Sequence, residues 1–394
     1  MYNIYNSSSY IGTFALLLNQ KKVKYLIEHY ESKAKFTGIN KRRQLQIMEQ
    51  KAFGTLADGE AVALYTISNT KGMRAEITDY TAAIVSLIVK DKDGQDVNVV
   101  LGYEDAGVYE QQQASFGAIV GRNCNRIANA QIVIDDVTYQ LEKNDNENNL
   151  HSGSQSTSRR LWDVAEHTEN KLVLTIEDAD GQQGYPGNAV MTVTYEITED
   201  NELSITYHAT ADKTTIFNMT NHAYYNLNGA GSGSVLDQVL QIRASHYTPV
   251  IDAKAIPTGE IASVEGTPFD FREAKTIGRD IHEENDQLAY GHGYDHNFVL
   301  DKEHAGLEKV ATACNPKNGI QMDVITDCIG MQLYTANFIH GQQIRGGIIC
   351  NDQDAFCLET QYFPNSINEP NFTTPLTEAG KAYDSKTVYA FSIA

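Results

Sequence analysis

Between Val190 and His208 the chain alternates with a period of two, breaks once, and alternates again. Met191, Val193, Tyr195 and Ile197 fall on one face of the first run. Leu203, Ile205 and Tyr207 fall on one face of the second, opposite Ser204, Thr206 and His208, and Asp200-Asn201 supplies the turn between them. Side chains two residues apart share a face only in extended backbone, so this pattern predicts a β-hairpin. A further run, Ile84, Val85, Leu87, Ile88 and Val89 broken by Ser86, puts apolar residues on both faces, as a buried strand does; Asp93-Gly94 turns it and Val97 to Leu101 resumes it. No window beyond residue 52 keeps a helical period. Strand patterns continue to Tyr389-Ala390-Phe391 without a Pro- or Gly-rich linker, so the expected fold is all-β, one large antiparallel β-sandwich over residues 53–394.

Charge divides the chain differently. Of a formal net charge of −20, residues 1–52 hold nine Lys/Arg against three Asp/Glu, a net +6, which leaves −26 for the remainder. Residues 1–52 therefore read as an appendage, whose basic patches Gln20-Lys21-Lys22-Val23-Lys24 and Lys41-Arg42-Arg43 suit a solvated face. The acidic remainder argues against a nucleic-acid partner, since phosphate neutralisation needs clustered Lys and Arg. Five cysteines, Cys124, Cys314, Cys328, Cys350 and Cys357, are an odd number without CxxC spacing and suit reduced thiols in a cytoplasmic protein. The longest apolar run near the N-terminus, Ile11 to Leu18 interrupted by Gly12 and Thr13, is too short to span a bilayer and lacks the marks of a secretory signal. Neither a membrane span nor a secreted location is expected.

Several polar blocks carry chemistry. Phe356-Cys357-Leu358-Glu359-Thr360-Gln361-Tyr362-Phe363-Pro364 sets one carboxylate, Glu359, in an apolar run that ends at a proline. Alternation turns Cys357, Glu359 and Gln361 to one face; a glutamate there is either a base poised in a pocket or a structural carboxylate held by backbone donors. Gly121-Arg122-Asn123-Cys124-Asn125-Arg126-Ile127 offers two arginines, each equally fit for a sugar hydroxyl or an internal ion pair. His151 lies in the turn Asn149-Leu150-His151-Ser152-Gly153, His222 in Thr220-Asn221-His222-Ala223-Tyr224-Tyr225, and Asp295 in Tyr294-Asp295-His296-Asn297-Phe298. Polar hydrogen-bonders interleaved with aromatics meet the needs of a sugar, whose hydroxyls require partners and whose C–H faces require apolar planes. No HxH, HExxH or paired Cys/His spacing occurs, so no metal is expected.

Taken together, and in this order, these blocks with Leu358-Glu359-Thr360-Gln361 resemble the signature motifs of the aldose 1-epimerase (galactose mutarotase) family. The resemblance runs from about Phe53 to the C-terminus. It implies a large β-sandwich and a cofactor-independent isomerase that interconverts the α- and β-anomers of free aldohexoses. It also implies Glu359 as general base, His222 as general acid, and Asn125, Arg126, His151, Tyr224, Asp295 and Gln332 as sugar-binding residues. Glu359 is then expected ionised and His222 protonated, titrating in that order, with a small sugar as the partner and a monomer or weak homodimer as the assembly. Two positions depart from the motifs: Cys124 stands where alanine is common, and Ser152 replaces the first glycine of a His-Gly-Gly turn. Serine adopts positive φ poorly, which puts the turn that presents His151 in question. Rival readings are a glycosidase using Glu359 with Asp295, a non-catalytic carbohydrate-binding module, and a phosphosugar epimerase; the last would want extra basic residues around the pocket.

Overall fold

The hairpin lies where the alternation places it. In the computed structural model, which describes residues 50–111 and 114–394, the strand Ala189–Ile197 pairs antiparallel with Glu202–Ala211. Asn201 turns the chain with a φ of 60°. Met191, Val193, Tyr195, Ile197, Leu203, Ile205 and Tyr207 are all buried. Each such apolar side chain stabilises the fold by roughly 1.5–3 kcal/mol through removal from water.

Seven further strands extend this hairpin into a nine-stranded sheet, the largest among the described residues. Its centre is the last strand of the chain, Ala382–Ile393, which inserts between Glu202–Ala211 and Ile320–Thr326. A five-stranded meander precedes it in sequence, running Gln50–Thr55, Ala61–Ser68, Arg74–Thr78, Ile84–Lys90 and Asp96–Asn98. The expected turn at Asp93-Gly94 is present, with Asp91 Oδ1 accepting the N–H groups of Asp93 and Gln95 and Gly94 at a φ of 75°. The run that follows is shorter as a strand than its pattern suggests: the strand ends at Asn98, and Val99, Val100 and Leu101 continue as buried chain, with Val100 in a single bridge to Tyr225. Gln50–Thr55 begins three residues before the boundary drawn from charge, and Phe53 within it is buried. The rest of the expected appendage lies outside the described residues.

A second five-stranded sheet carries Ala262–Ser263, His246–Thr248, Asp295–Val299, Gly330–Tyr334 and Cys357–Gln361, in that order. One continuous apolar core joins all three sheets, with Ile67 and Leu87 from the meander, Leu174 and Val193 from the large sheet, and Phe298, Leu333 and Leu358 from the third. The all-β sandwich expected from the sequence is the observed fold class. Among the described residues, two α-helices of six residues each, Ala106–Gln111 and Asp286–Gly291, interrupt it. They are too short to leave a helical period in the sequence; the second is marked only by its N-cap, Asn285, whose side chain accepts from the N–H groups of Gln287 and Leu288.

Candidate active site

The strand Cys357–Gln361 is buried along its whole length, yet its two faces differ. Leu358 and Thr360 point to the large sheet, where Thr360 Oγ1 meets Thr387 Oγ1 at 2.6 Å and Tyr389 Oη donates to the Leu358 carbonyl at 3.0 Å. Period two sends Cys357, Glu359 and Gln361 the other way. On that face the register sets Gln332 opposite Glu359, Asn297 opposite Gln332, and Asp295 opposite Tyr334. Glu359 is 2% exposed, and its Oε2 has no hydrogen-bond partner within the protein. Burial pushes its carboxyl well above the usual range, and the nearby Asp295 carboxylate adds to this against the opposing pull of Arg126.

His222 reaches Glu359 from a separate segment. Thr220–Asn221 pairs with Ile119–Val120, the His222 N–H donates to the Ala118 carbonyl at 2.9 Å, and Tyr225 exchanges backbone hydrogen bonds with Phe356 at 2.7 and 2.9 Å. These ties bring His222 Nε2 to 3.6 Å from Glu359 Oε2. The ring stacks on Tyr224, centroids 4.9 Å apart and planes 11° from parallel, and its Nδ1 lies 3.5 Å from Cys357 Sγ. Burial pushes the imidazole down to about 4. This reverses the order of proton affinities expected from the sequence: desolvation acts against charge on both groups, so in the free pocket Glu359 holds its proton more tightly than His222.

The arginine block and the His151 turn meet through a two-residue bridge, Leu150 opposite Arg126 and Asn149 opposite Ile127. Asn125 and His151 are locked reciprocally, the Asn125 N–H donating to His151 Nδ1 at 3.0 Å and the His151 N–H to the Asn125 carbonyl at 3.1 Å. A backbone N–H can only donate, so Nδ1 of His151 is an acceptor and the ring hydrogen sits on Nε2. His151 and Ser152 both take positive φ, 52° and 64°. The serine is accommodated because its buried hydroxyl accepts from the Asn123 N–H at 2.8 Å and lies 3.0 Å from the Asn123 carbonyl and 3.2 Å from Tyr185 Oη. Arg126 donates from Nε to Asp145 Oδ2 at 2.9 Å and brings Nη1 to 3.9 Å from Asp295 Oδ2. Arg122, the other arginine of the block, is an internal ion-pair partner: fully buried, it bonds Asp178 Oδ2 at 2.7 Å and the carbonyls of Pro186 and Gly187 at 2.7 Å each.

Beneath these groups the amides point in one direction. A buried thiol keeps its hydrogen, so Cys124 donates to Gln361 Oε1 at 3.3 Å. Gln361 Nε2 then reaches Gln332 Oε1 at 3.3 Å, and Gln332 Nε2 donates to Asp295 Oδ1 at 2.7 Å. Gln332 thus sits behind Asp295, outside the ring of residues that lines the cavity.

That cavity has a volume of about 290 Å³, near the lower end of the roughly 300–1,000 Å³ found for small-molecule sites. Seven of the eight residues singled out from the sequence line it: Asn125, Arg126, His151, His222, Tyr224, Asp295 and Glu359. Ala114, Ser115, Leu150, Tyr334, Phe338, Ile339 and Gln342 complete the wall. Tyr334 was legible in principle, since it lies two residues from Gln332 on one strand; Phe338, exposed at the mouth, carries no local signal. The ligand atoms of His151, His222 and Glu359 lie within 4.8 Å of one another, a spacing that could gather a metal ion. The donor chemistry does not fit one: with its ring hydrogen on Nε2, His151 offers the cavity a donor and no lone pair.

The family profile "Aldose 1-epimerase" matches residues 63–390. The chain is 36% identical over 336 residues to an aldose 1-epimerase of Escherichia coli (strain K12), covering 85% of this chain and 96% of that one. It is 36% identical over 344 residues to a galactose mutarotase of Sus scrofa, covering 87% and 98%. A solved structure of a GalM/aldose epimerase homologue from C. elegans superposes with a TM-score of 0.79 at 29% identity, covering 85% of this chain and all of that one. Extent, motifs and fold agree: the chain belongs to the aldose 1-epimerase family.

Proposed function

We propose that this protein is a mutarotase that interconverts the α- and β-anomers of free aldohexoses such as glucose and galactose, with Glu359 as general base and His222 as general acid. The observation that carries the reading is the buried Glu359 Oε2, without a hydrogen-bond partner, 3.6 Å from His222 Nε2 at the wall of a cavity rich in hydroxyl-binding groups. Ring opening needs a proton taken from the anomeric C1 hydroxyl and another delivered to the ring oxygen. From the form in which the shared proton lies on His222, ionised Glu359 takes the first and the imidazolium gives the second from Nε2, leaving a neutral ring with its hydrogen on Nδ1. The C1–O5 bond breaks as the C1 carbonyl forms; rotation about C1–C2 then presents the other carbonyl face, and the two groups reverse roles as the ring closes. No electrons change hands, so no cofactor is needed.

The remaining groups hold hydroxyls. His151 Nε2–H and Arg126 donate, Asp295 accepts, Asn125 and Tyr224 add polar and aromatic contacts, and Gln332 orients Asp295. Each acid or base contribution is worth about 10²–10⁴-fold in rate, with positioning supplying much of the rest. A phosphosugar suits the cavity poorly, because Arg126, already bonded to Asp145, is the one cationic side chain among its lining residues. The glycosidase reading is disfavoured because Asp295 is committed to Gln332. We place the enzyme in a reducing, cytoplasmic compartment, supported by five free cysteines, as a monomer or weak homodimer. Polarimetry of freshly dissolved α-glucose and α-galactose tests the function. Protein should hasten the approach to the anomeric equilibrium, and excess chelator should leave the rate unchanged. A rate equal to that of buffer alone would refute the reading.

A further inference from the structure

The proton transfers fix which way the sugar lies. Glu359 takes the C1 hydroxyl and His222 serves the ring oxygen, so C2 follows on the Glu359 side while C5, with its exocyclic C6, lies beside His222. The ring of His222 has two flanks. His151 meets it edge to face, centroids 5.4 Å apart, and leads through its reciprocal bonds with Asn125 to Arg126 and Asp295. These groups suit the C2, C3 and C4 hydroxyls. The other flank is aromatic: Tyr224 stacks on His222, Phe116 meets Tyr224 with centroids 4.6 Å apart, and Tyr103 stacks on Phe116 at 4.7 Å. A hexose has one edge to match it, the C5–H and the C6 methylene with a single hydroxyl.

Gln342 ends that flank, half-buried in the cavity wall. Its backbone is fixed: its N–H donates to the Ile339 carbonyl at 3.0 Å, its carbonyl accepts from the Cys350 N–H at 2.8 Å, and the Arg345 N–H donates to the Gly102 carbonyl, next to Tyr103, at 2.8 Å. Tyr103 Oη donates to Gln342 Oε1 at 2.9 Å. The opposite orientation of the amide would leave the hydroxyl hydrogen of a fully buried tyrosine without an acceptor among the described residues. Nε2 is therefore the end of the amide left to bind a ligand. We propose that Gln342 is a specificity-determining residue, whose Nε2–H donates to the C6 hydroxyl and selects aldohexoses over pentoses and 6-deoxy sugars. The contact also serves ring opening. Once the C1–O5 bond breaks, C1 turns about C1–C2, and an anchor at C6 keeps O5 beside His222 for reclosure.

The inference rests on the mutarotase reading, and its test separates the two. Polarimetry of the full-length protein on glucose, 6-deoxyglucose and xylose, corrected for the spontaneous reactions, gives kcat/KM for each. The wild type should prefer glucose over 6-deoxyglucose by about five- to tenfold, the worth of one neutral hydrogen bond where water can take the place of the missing hydroxyl. Xylose, which lacks C6 altogether, should fare no better than 6-deoxyglucose. Gln342→Met fills similar space without a donor, and its preference for glucose should fall to near one, because only the sugar that carries the hydroxyl loses a contact. A ratio taken within one variant does not depend on how much of that protein is folded. Equal kcat/KM for glucose and 6-deoxyglucose in the wild type, or an unchanged preference in Gln342→Met, would overturn the proposal, and the first needs no variant. Absence of acceleration with all three sugars would instead refute the mutarotase reading itself.

Discussion

Burial gives Glu359 and His222 opposed proton affinities, and this has a measurable consequence. Below about pH 4 both groups carry a proton and the base is lost; above the raised value of Glu359 both have lost theirs and the acid is gone. Between those limits the pair holds one proton, and turnover proceeds from the fraction that carries it on His222. The pH dependence of kcat/KM should therefore be bell-shaped, with an acid limb near 4 and an alkaline limb well above the ordinary carboxylate range. The alkaline limb belongs to Glu359, so the neighbours that tune this carboxyl should move it in opposite directions. Asp295→Asn removes a negative charge that favours the proton and should shift the limb down; Arg126→Ala removes a positive charge that opposes it and should shift the limb up. Rate profiles of the two variants check both signs, and shifts in one shared direction would contradict the assignment. The order of these affinities was not legible in the sequence, because it depends on how deeply two segments 137 residues apart bury each other.

At the level of elements, the site depends on loops held at positive φ and on strands whose register is set by their core faces. The turn that presents His151 is the sharpest case. Glycine at position 152 would relieve the cost of a 64° φ but leave the Asn123 N–H without its hydroxyl partner, a loss of about 1–3 kcal/mol. Alanine would lose the hydroxyl and keep the conformational cost. Stability measured by chemical denaturation should therefore fall in the order wild type, Ser152→Gly, Ser152→Ala; a Ser152→Gly protein more stable than wild type would show that the hydroxyl contributes nothing. Local patterns carried much of this level. The alternation of residues 190–208 marked a hairpin, and that of 356–361 marked the face on which Glu359 lies. What they could not carry was partnership between distant strands, which is why Gln332 reads from its motif as a sugar contact and proves to sit behind Asp295. The local pattern alone likewise left Arg122 and Arg126 equal; the resemblance singled out Arg126, and Asp178, more than fifty residues away in the chain, takes Arg122.

Across the whole molecule, the two ends of the chain should differ in what they tolerate. The first described strand begins at Gln50, so deletion of residues 1–47 should leave a folded enzyme with unchanged kcat. Removing the last strand, Ala382–Ile393, should abolish folding, since it forms the middle of the nine-stranded sheet and pairs on both sides. Circular dichroism and polarimetry on both truncations check this; a soluble, active protein without its last strand would contradict the sheet order. Three sheets, a shared core and five separated motifs converge on one carboxylate, and the central claim is that this carboxylate moves the anomeric proton. Glu359→Gln keeps the shape and the neutral hydrogen-bonding capacity but cannot accept a proton. Initial rates of glucose and galactose mutarotation, corrected for the spontaneous reaction and paired with calorimetric sugar binding, should show kcat lowered by at least about 100-fold while the sugar still binds. Near-normal kcat in Glu359→Gln would contradict the account and return the carboxylate to a structural role.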